Sequence, residues 1–327
     1  MTTSAFAIIH LSIWAALGVS GFFAILLVRR WWLERREAAR REALGAITRN
    51  YLQRMAGIKP ESTKAGWSSD LRLAAVAHLH LLLRGGERQR LMQLAELDGL
   101  LEATIRTSRD MRAARRIDAI RMLQQFGSEA CVARLRGIFT RDSHPKVQLE
   151  AAFALAALGA LPPPRELIRI LGMFDRKPNR LDSALLRSLA PQYADHLKLM
   201  LEDEMPHWRR AFIVDALGFS ESSDVLPTLR RAAQMDNPEL RSAALRAAAK
   251  IGHPGVAEWV LPMLDDPVPF VRIQAANCCA SLGLRSAVPH LREHLADEDL
   301  WVRLRIEHAL DVLVAHWPSD EAFGAVA

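Results

Sequence analysis

Cysteine is scarce in this chain: Cys131, Cys278 and Cys279 are the only three among 327 residues. That number excludes a disulfide-built scaffold, and neither a Cys-x-x-Cys pair nor a Cys/His ligand spacing offers a zinc site. Aromatic residues make up 6% of the chain, with two tyrosines. The glycine-rich phosphate loops GxGxxG and GxxxxGK[ST] are absent, as is the GxSxG elbow of serine hydrolases. Strand-like alternation of apolar and polar residues is sparse. A large charge excess is missing too. The formal net charge is +6, and residues 29–42, with six Arg against three Glu, carry half of it. Residues 43–327 hold 37 basic and 34 acidic side chains, which speaks against a nucleic-acid-binding body. Half the residues are hydrophobic, enough to exclude a disordered protein.

The first feature present is a long apolar run. Residues 6–28, FAIIHLSIWAALGVSGFFAILLV, contain no Asp, Glu, Lys or Arg. As a helix this run reaches about 35 Å, more than a hydrocarbon layer of about 30 Å. A cleaved signal peptide needs a basic region before the run and small residues after it. Here no basic residue precedes it, and Arg29, Arg30, Trp31 and Trp32 follow. The run therefore predicts a single uncleaved transmembrane helix after a short extracytoplasmic stretch, residues 1–5. Arg29, Arg30, Arg35, Arg36, Arg40 and Arg41 all lie beyond the run. The positive-inside rule then puts the N-terminus outside and the remainder in the cytoplasm, on the inner (plasma) membrane. Arg29, Arg30, Trp31, Trp32, Arg35 and Arg36 are the expected contacts with the membrane surface. Unpaired cysteines fit a reducing compartment. Ser12, Ala16, Ser20 and Ala24 recur every fourth residue, forming a small-residue stripe suited to packing against another membrane helix.

The body reads as a helical repeat. Apolar residues recur at helical spacing, interrupted at short intervals by Asp, Pro and Gly. The string LRSAALRAAAKIG (240–252) aligns with VRIQAANCCASLG (271–283), VQLEAAFALAALG (147–159) and RRIDAIRMLQQFG (115–127). The second position of each string marks the repeats: Arg72, Arg116, Gln148, Asp182, Arg210, Arg241, Arg272 and Arg303. The spacing is widest from Arg72 to Arg116, uneven as far as Arg210, and constant from Arg210 through Arg241 and Arg272 to Arg303. The fifth position is always apolar (Ala75, Ala119, Ala151, Leu185, Ile213, Ala244, Ala275, Ile306), and the ninth is Leu, Ala or Cys. A second Leu-bearing helix follows each marker helix, as in VLPTLRRAAQM and VAEWVLPMLDD. A two-helix unit of about 31 residues cannot bury its own apolar face and must stack on its neighbours. The fold class expected is all-α: an α-solenoid of about eight two-helix repeats over 67–317, preceded by one transmembrane helix.

The strings VRxxAAxxxxxLG resemble the HEAT repeat family, in its short bacterial form related to phycobilisome-lyase repeats. The resemblance covers about residues 67–317 and is stronger in the later units. It implies that the marker helices line the inner, concave side. It also implies that Asp142, Glu204, Asp266 and Asp297, each six residues before a marker, join a ladder of acids and bases between adjacent turns. The fold itself specifies no activity.

On the expected inner face, the seventh position of each marker helix is the most varied column: Ala77, Arg121, Phe153, Arg187, Asp215, Arg246, Asn277 and His308. Arg121, Phe153, Arg187, Arg246, Asn277 and His308 are the candidate partner-binding residues. The function expected is that of a membrane-anchored interaction scaffold, presenting a cytoplasmic groove to a protein partner that is itself membrane-associated. An envelope or polysaccharide-synthesis assembly is one setting. Residues 106–141, with nine Arg and three acids, suit an anionic lipid surface.

Two alternatives belong to other classes. One is a HEAT-like enzyme, of lyase or metal-dependent type. None of the eleven His is followed by Glu, against the His-Glu pairs of the deoxyhypusine hydroxylase type. His294 and His308 each follow a Glu, and His78 and His80 point to different sides of a helix. The other is a HEAT-like nucleic-acid binder, which needs a basic cleft with aromatics; Trp208, Trp259 and Trp301 read instead as fillers between helices. No catalytic residue, cofactor, metal or nucleic acid is expected. Residues 33–58 read as a helix with Leu44, Ile47, Tyr51, Met55 and Ile58 on one side, either extending the membrane helix or capping the array. Residues 29–66 form the basic juxtamembrane helix and a linker at 57–66, and residues 318–327 form a tail.

Overall fold

The computed structural model describes the backbone of residues 2–59 and 66–315, with side chains at 22, 24–59 and 66–314. Among the described residues there is no β-strand. The chain divides into two compact units, residues 1–134 and 135–327.

The first unit contains α1 (Thr2–Met55), α2 (Ser69–Leu82), α3 (Gly85–Leu97), α4 (Leu100–Thr107) and α5 (Ala113–Phe126). Among the described residues no helix is long and apolar enough to cross a membrane. Most of the span expected at 6–28, including Ser12, Ala16 and Ser20, lies outside the described side chains. Only Phe22 and residues 24–28 of it are described, and all are exposed. From Leu44 onward α1 caps the first repeat. Ile47 and Tyr51 are buried with Ala75, Val76, Leu79 and Leu91, and Leu44 and Met55 pack against them. Ile58 departs from this pattern: α1 ends at Met55, and Ile58 is 59% exposed. Arg54 holds the same helix end with two hydrogen bonds to Asp98, at 2.7 and 3.0 Å, and the Tyr51 hydroxyl donates to Asp98 at 2.7 Å. Two helices, α3 and α4, fit between α2 and α5, which accounts for the wide separation of the markers Arg72 and Arg116.

Helix α6 (Glu129–Arg141) runs across the division between the units. The second unit continues with α7 (Pro145–Ala157), α8 (Pro164–Leu171), α9 (Arg180–Met200), α10 (His207–Leu217), α11 (Leu226–Ala233), α12 (Pro238–Ile251), α13 (Ala257–Val260), α14 (Pro269–Leu282), α15 (Val288–Glu293) and α16 (Leu300–Ala315). The marker helices α10, α12, α14 and α16 pack side by side in chain order, in the manner of a solenoid. Their fifth-position residues Ile213, Ala244, Ala275 and Ile306 are fully buried, as are Ala248 and Cys279 at the ninth. Gly218 sits so near α12 that a Cβ there would stand 2.6 Å from the Ala247 Cα.

Regularity breaks in two places. Around Pro191 the helical path kinks, with Tyr193 at φ −124° and ψ 28°. The Tyr193 hydroxyl donates to the Leu161 carbonyl at 3.1 Å. The marker helix of this repeat therefore passes into its second helix without a loop, and the next marker, Arg210, comes early. The later second helices are also shorter than two regular helices per repeat would require. α13 continues as a 3₁₀ segment, Leu261–Asp265, where Pro262 has no N–H to give an α-helical ladder. α15 likewise continues as 3₁₀ turns, His294–Ala296.

The expected ladder forms in the last repeats. Arg241 donates to both carboxylate oxygens of Asp266 (2.7 and 2.9 Å), and also to the Met235 and Asp236 carbonyls. Arg272 donates to the Asp297 carboxylate at 2.8 Å and to the Asp266 carbonyl at 2.8 Å. Each marker Arg thus closes its own turn and grips the turn of the following repeat. Earlier rungs differ. Arg210 reaches the Asp203 carbonyl while Glu204 is exposed, and Asp142 accepts from the His144 backbone N–H. At the Asp182 marker the polarity is reversed, because Asp182 accepts from Arg176 six residues earlier.

The marker helices end at a recurring left-handed position: Gly127, Gly159, Gly252 and Gly283 have φ between 63° and 73°. In the α10 repeat the equivalent slot holds Glu221, at φ 57°. A side chain in this conformation costs roughly 1–2 kcal/mol, against roughly 0.5–1 kcal/mol of extra chain entropy for glycine.

Three outcomes follow from this framework. Asp266→Ala leaves the buried Arg241 guanidinium without its counter-charge, and destabilises the second unit by about 3–5 kcal/mol in denaturant titrations followed by tryptophan fluorescence. Replacing both partners with Arg241→Met and Asp266→Leu costs much less; equal losses would show that the rung is not the source. Glu221→Gly raises stability by about 0.5–1 kcal/mol, read as a higher thermal midpoint, and an unchanged or lower midpoint contradicts the strain. Burial pushes the Asp98 carboxyl up, but the hydrogen bonds from Arg54 and Tyr51 and the charges of Arg54 and Arg72 outweigh it and hold it below the usual range. A depressed folded pKa gives stability that is complete above the unfolded value, about 3.9, and is lost as pH falls through the folded value. Asp98→Asn therefore flattens the acid limb of the first unit's stability profile; an acid limb identical to that of the unsubstituted protein would contradict this.

Candidate functional site

The seventh-position side chains project from the marker helices because positions five and nine point into the stack. In the first unit this face opens into a cavity of about 620 Å³ between α2, α4 and α5. Leu73, Ala77 and Leu81 line it from one helix; Arg121, Met122 and Gln125 line it from another. His80 also borders it. Its ring is buried, and Nδ1 is enclosed without a hydrogen-bond partner. Burial, and then the charge of Arg88, lowers its pKa, so the ring is neutral at pH 7. His78 is exposed, so the two histidines do face apart. Asp70 and Arg115 approach to 3.9 Å at the rim.

In the second unit the same column brings three consecutive marker helices together. Arg246 Nε donates to Asp215 Oδ1 at 2.9 Å, and Arg187 Nη2 stands 3.9 Å from Oδ2. Lys250, which the column reading missed, donates to the same Oδ1 at 3.0 Å. Phe219 was missed as well. Arg187 lies over its ring at 4.8 Å from the centroid, and Lys250 at 4.4 Å. Both missed residues stand one helical turn beyond a seventh-position residue, Phe219 after Asp215 and Lys250 after Arg246. That spacing is the signal that could have found them. Arg246 also donates to the Ser242 hydroxyl at 2.8 Å.

The cluster is electrostatically lopsided. Burial raises the Asp215 carboxyl, but the charges and hydrogen bonds of Lys250 and Arg246 outweigh this and hold it below the usual range. Lys250 is lowered, first by burial and also by Arg187 and Arg246, in spite of Asp215. Other candidates stand apart from this cluster: Phe153 and Asn277 are half-buried on the same column, and His308 is exposed.

Groups weighed for chemistry take structural places. Cys131, Cys278 and Cys279 are buried and unpaired. Burial pushes the Cys278 thiol up, and that of Cys279 up to about 12, so neither is a thiolate at neutral pH. His294 Nε2 lies 3.0 Å from Asp265, and its Nδ1 faces the ladder carboxylate Asp297 at 3.9 Å. Among the described residues no group of three or more His, Cys, Asp or Glu is placed to hold a metal ion. Of the three tryptophans expected between helices, Trp259 is buried and Trp208 packs edge-on against Phe174. Trp301 is instead 69% exposed. It lies in the first turn of α16, where Asp299 accepts its backbone N–H and no described helix follows to cover it.

The family model for HEAT repeats matches residues 194–268 and 235–311, about a third of the chain. No curated protein matches the sequence. Among solved structures, human deoxyhypusine hydroxylase in complex with glycerol aligns at 17% identity, over 85% of this chain and 98% of its own, with a TM-score of 0.34. A Kap121p mutant aligns at 13% identity over 83% of this chain and 33% of its own, with a TM-score of 0.48. The CpcE–CpcF complex of phycocyanin lyase from a Nostoc species aligns at 16% identity over 78% and 97%, with a TM-score of 0.30. The matched segment runs from the second half of α9 through α16, where the repeat strings are most regular, and the likeness is one of repeat and fold.

Proposed function

We propose that this chain is a membrane-tethered interaction scaffold whose seventh-position face receives a protein partner. One observation carries the reading. The interior columns are uniformly apolar and, except at Leu310 in the last marker helix, buried, while the seventh column changes character from repeat to repeat and, in the second unit, gathers Arg187, Asp215 and Arg246 into one charged row. A surface that varies while its scaffold stays constant suits selective contact. The tether is residues 6–28, with the N-terminus outside and the repeats on the cytoplasmic side of the inner membrane. In support, every described side chain from Phe22 to Glu42 is exposed, including the apolar Phe22, Ile25, Leu26, Leu27 and Val28. Arg35 and Arg36 stack on Trp31 and Trp32, at 5.0 and 3.6 Å from the ring centroids, an arrangement that would suit a belt at the headgroup level. Arg29 and Arg30 adjoin it. A partner that is itself membrane-associated, for example in an envelope or polysaccharide-synthesis assembly, would meet the scaffold along this tether.

The test is photo-crosslinking in cells, with the crosslinking residue placed at Asn277 or His308 on the column, or at Glu258 on the opposite helix layer. Column positions yield a discrete adduct in the membrane fraction, and Glu258 does not. Deleting residues 1–30 moves the chain to the soluble fraction and removes the adduct. Equal adducts from both layers, or a chain that stays in the membrane after the deletion, would overturn the reading.

A further inference from the structure

We propose that the cluster of Arg187, Asp215, Arg246 and Lys250 docks an acidic segment of the partner protein. This rests on the scaffold reading above and names the chemistry of its recognition.

Three cations surround one carboxylate. Asp215 Oδ1 already accepts from both Arg246 and Lys250, while Arg187 meets Oδ2 only at 3.9 Å, beyond hydrogen-bond length. The Arg187 fork lies over the Phe219 ring and pairs with the carboxylate by charge, without a hydrogen bond to it. Its side chain is 47% exposed and that of Arg246 is 41% exposed, so both guanidinium groups are reachable from solvent. Beside them a hollow of about 750 Å³ is lined by Phe219, Glu221, Ser223, Lys250 and His253. Counting Glu221 at its rim, the group keeps one formal positive charge in excess. Arg187, Arg246 and Lys250 crowd around the one carboxylate, and the two guanidinium charges add to burial, the main cause, in lowering Lys250. An incoming carboxylate would relieve that crowding and take the planar, two-pronged hydrogen bonds that guanidinium groups offer. The turn that carries Phe219 is the one in which Glu221 adopts its left-handed conformation, so local strain is tolerated where the ring is placed beneath two cations.

Charge pattern favours an acidic peptide over a nucleic acid. A phosphate backbone is held by an extended series of cations, often about 6–10 contacts. Here the cations form a single group, and the column continues on either side with Phe153, Asn277 and His308. Neutral and apolar neighbours suit a peptide that presents a few carboxylates among other side chains.

The test uses the full chain in lipid nanodiscs and a fluorescein-labelled peptide of alternating Glu and Gly, read by anisotropy at low and at physiological salt. Arg187→Gln and Lys250→Gln each weaken binding about two- to fivefold, and together about tenfold or more. Asp215→Asn strengthens binding, because it removes the competing carboxylate. If the Asp215 variant folds poorly, Arg187→Glu reverses a charge at an exposed position and abolishes binding. A Gln/Gly peptide does not compete. Binding unchanged in the Arg187 and Lys250 variants, or a single-stranded oligonucleotide of equal charge that displaces the peptide at lower concentration, would overturn the proposal. If the column crosslinks to its partner equally well in the Arg187→Gln/Lys250→Gln variant, the acidic assignment falls while the scaffold reading stands. If the column yields no adduct even in the unsubstituted protein, the scaffold reading itself fails.

Discussion

Close approach of successive marker helices is the constraint on which the second unit depends. Ala244, Ala248, Ala275 and Cys279 offer little bulk where α10, α12, α14 and α16 meet, and Gly218 leaves no room for a Cβ against Ala247. Helices packed through such residues lie about 8–10 Å apart, and the spacing repeats because the sequence does. A two-helix repeat has no other way to cover its apolar face. The Arg241–Asp266 and Arg272–Asp297 rungs can then span consecutive turns with short bonds, locking the register that the apolar columns create.

The same spacing builds the charged row. Side chains at one position of neighbouring helices come within reach of one another only when their axes are this near. Arg187, Asp215 and Arg246 come from three successive repeats, far apart in sequence, and still share one carboxylate. Phe219 and Lys250, each one turn farther along, add a ring and a third cation. Burial of Asp215 makes this arrangement possible: it is compensated twice over, and the surplus positive charge stays at the solvent edge.

The first unit solves the problem of its open end differently. Its first marker helix is covered by α1, which supplies Ile47 and Tyr51. The Asp98 carboxylate, held by Arg54 and Tyr51, fixes the closing helix where its apolar residues run out. Helix α1, whose described side chains from Phe22 to Glu42 are all exposed, thus ends as part of a core.

Periodicity alone determined the all-helical class, the eight marker helices and the apolar fifth and ninth columns, which are buried except at Leu310, because each depends only on residue spacing along one helix. The late rungs of the Arg–Asp ladder were implied by the HEAT resemblance and not by spacing along one helix, since Arg241–Asp266 and Arg272–Asp297 each join two repeats. Tertiary structure decided what depends on bond geometry or on neighbours distant in sequence. The kink at Pro191 merged two helices that the strings kept apart, and Pro262 turned a regular second helix into 3₁₀ turns. Trp301 became exposed because no described helix covers the first turn of α16, a condition no local pattern contains. The candidate column could be read from the chain, but not which of its members meet. Arg187 and Arg246 converge on Asp215 while Phe153, Asn277 and His308 stand apart, because side-chain convergence is set by the distance and rotation between packed helices.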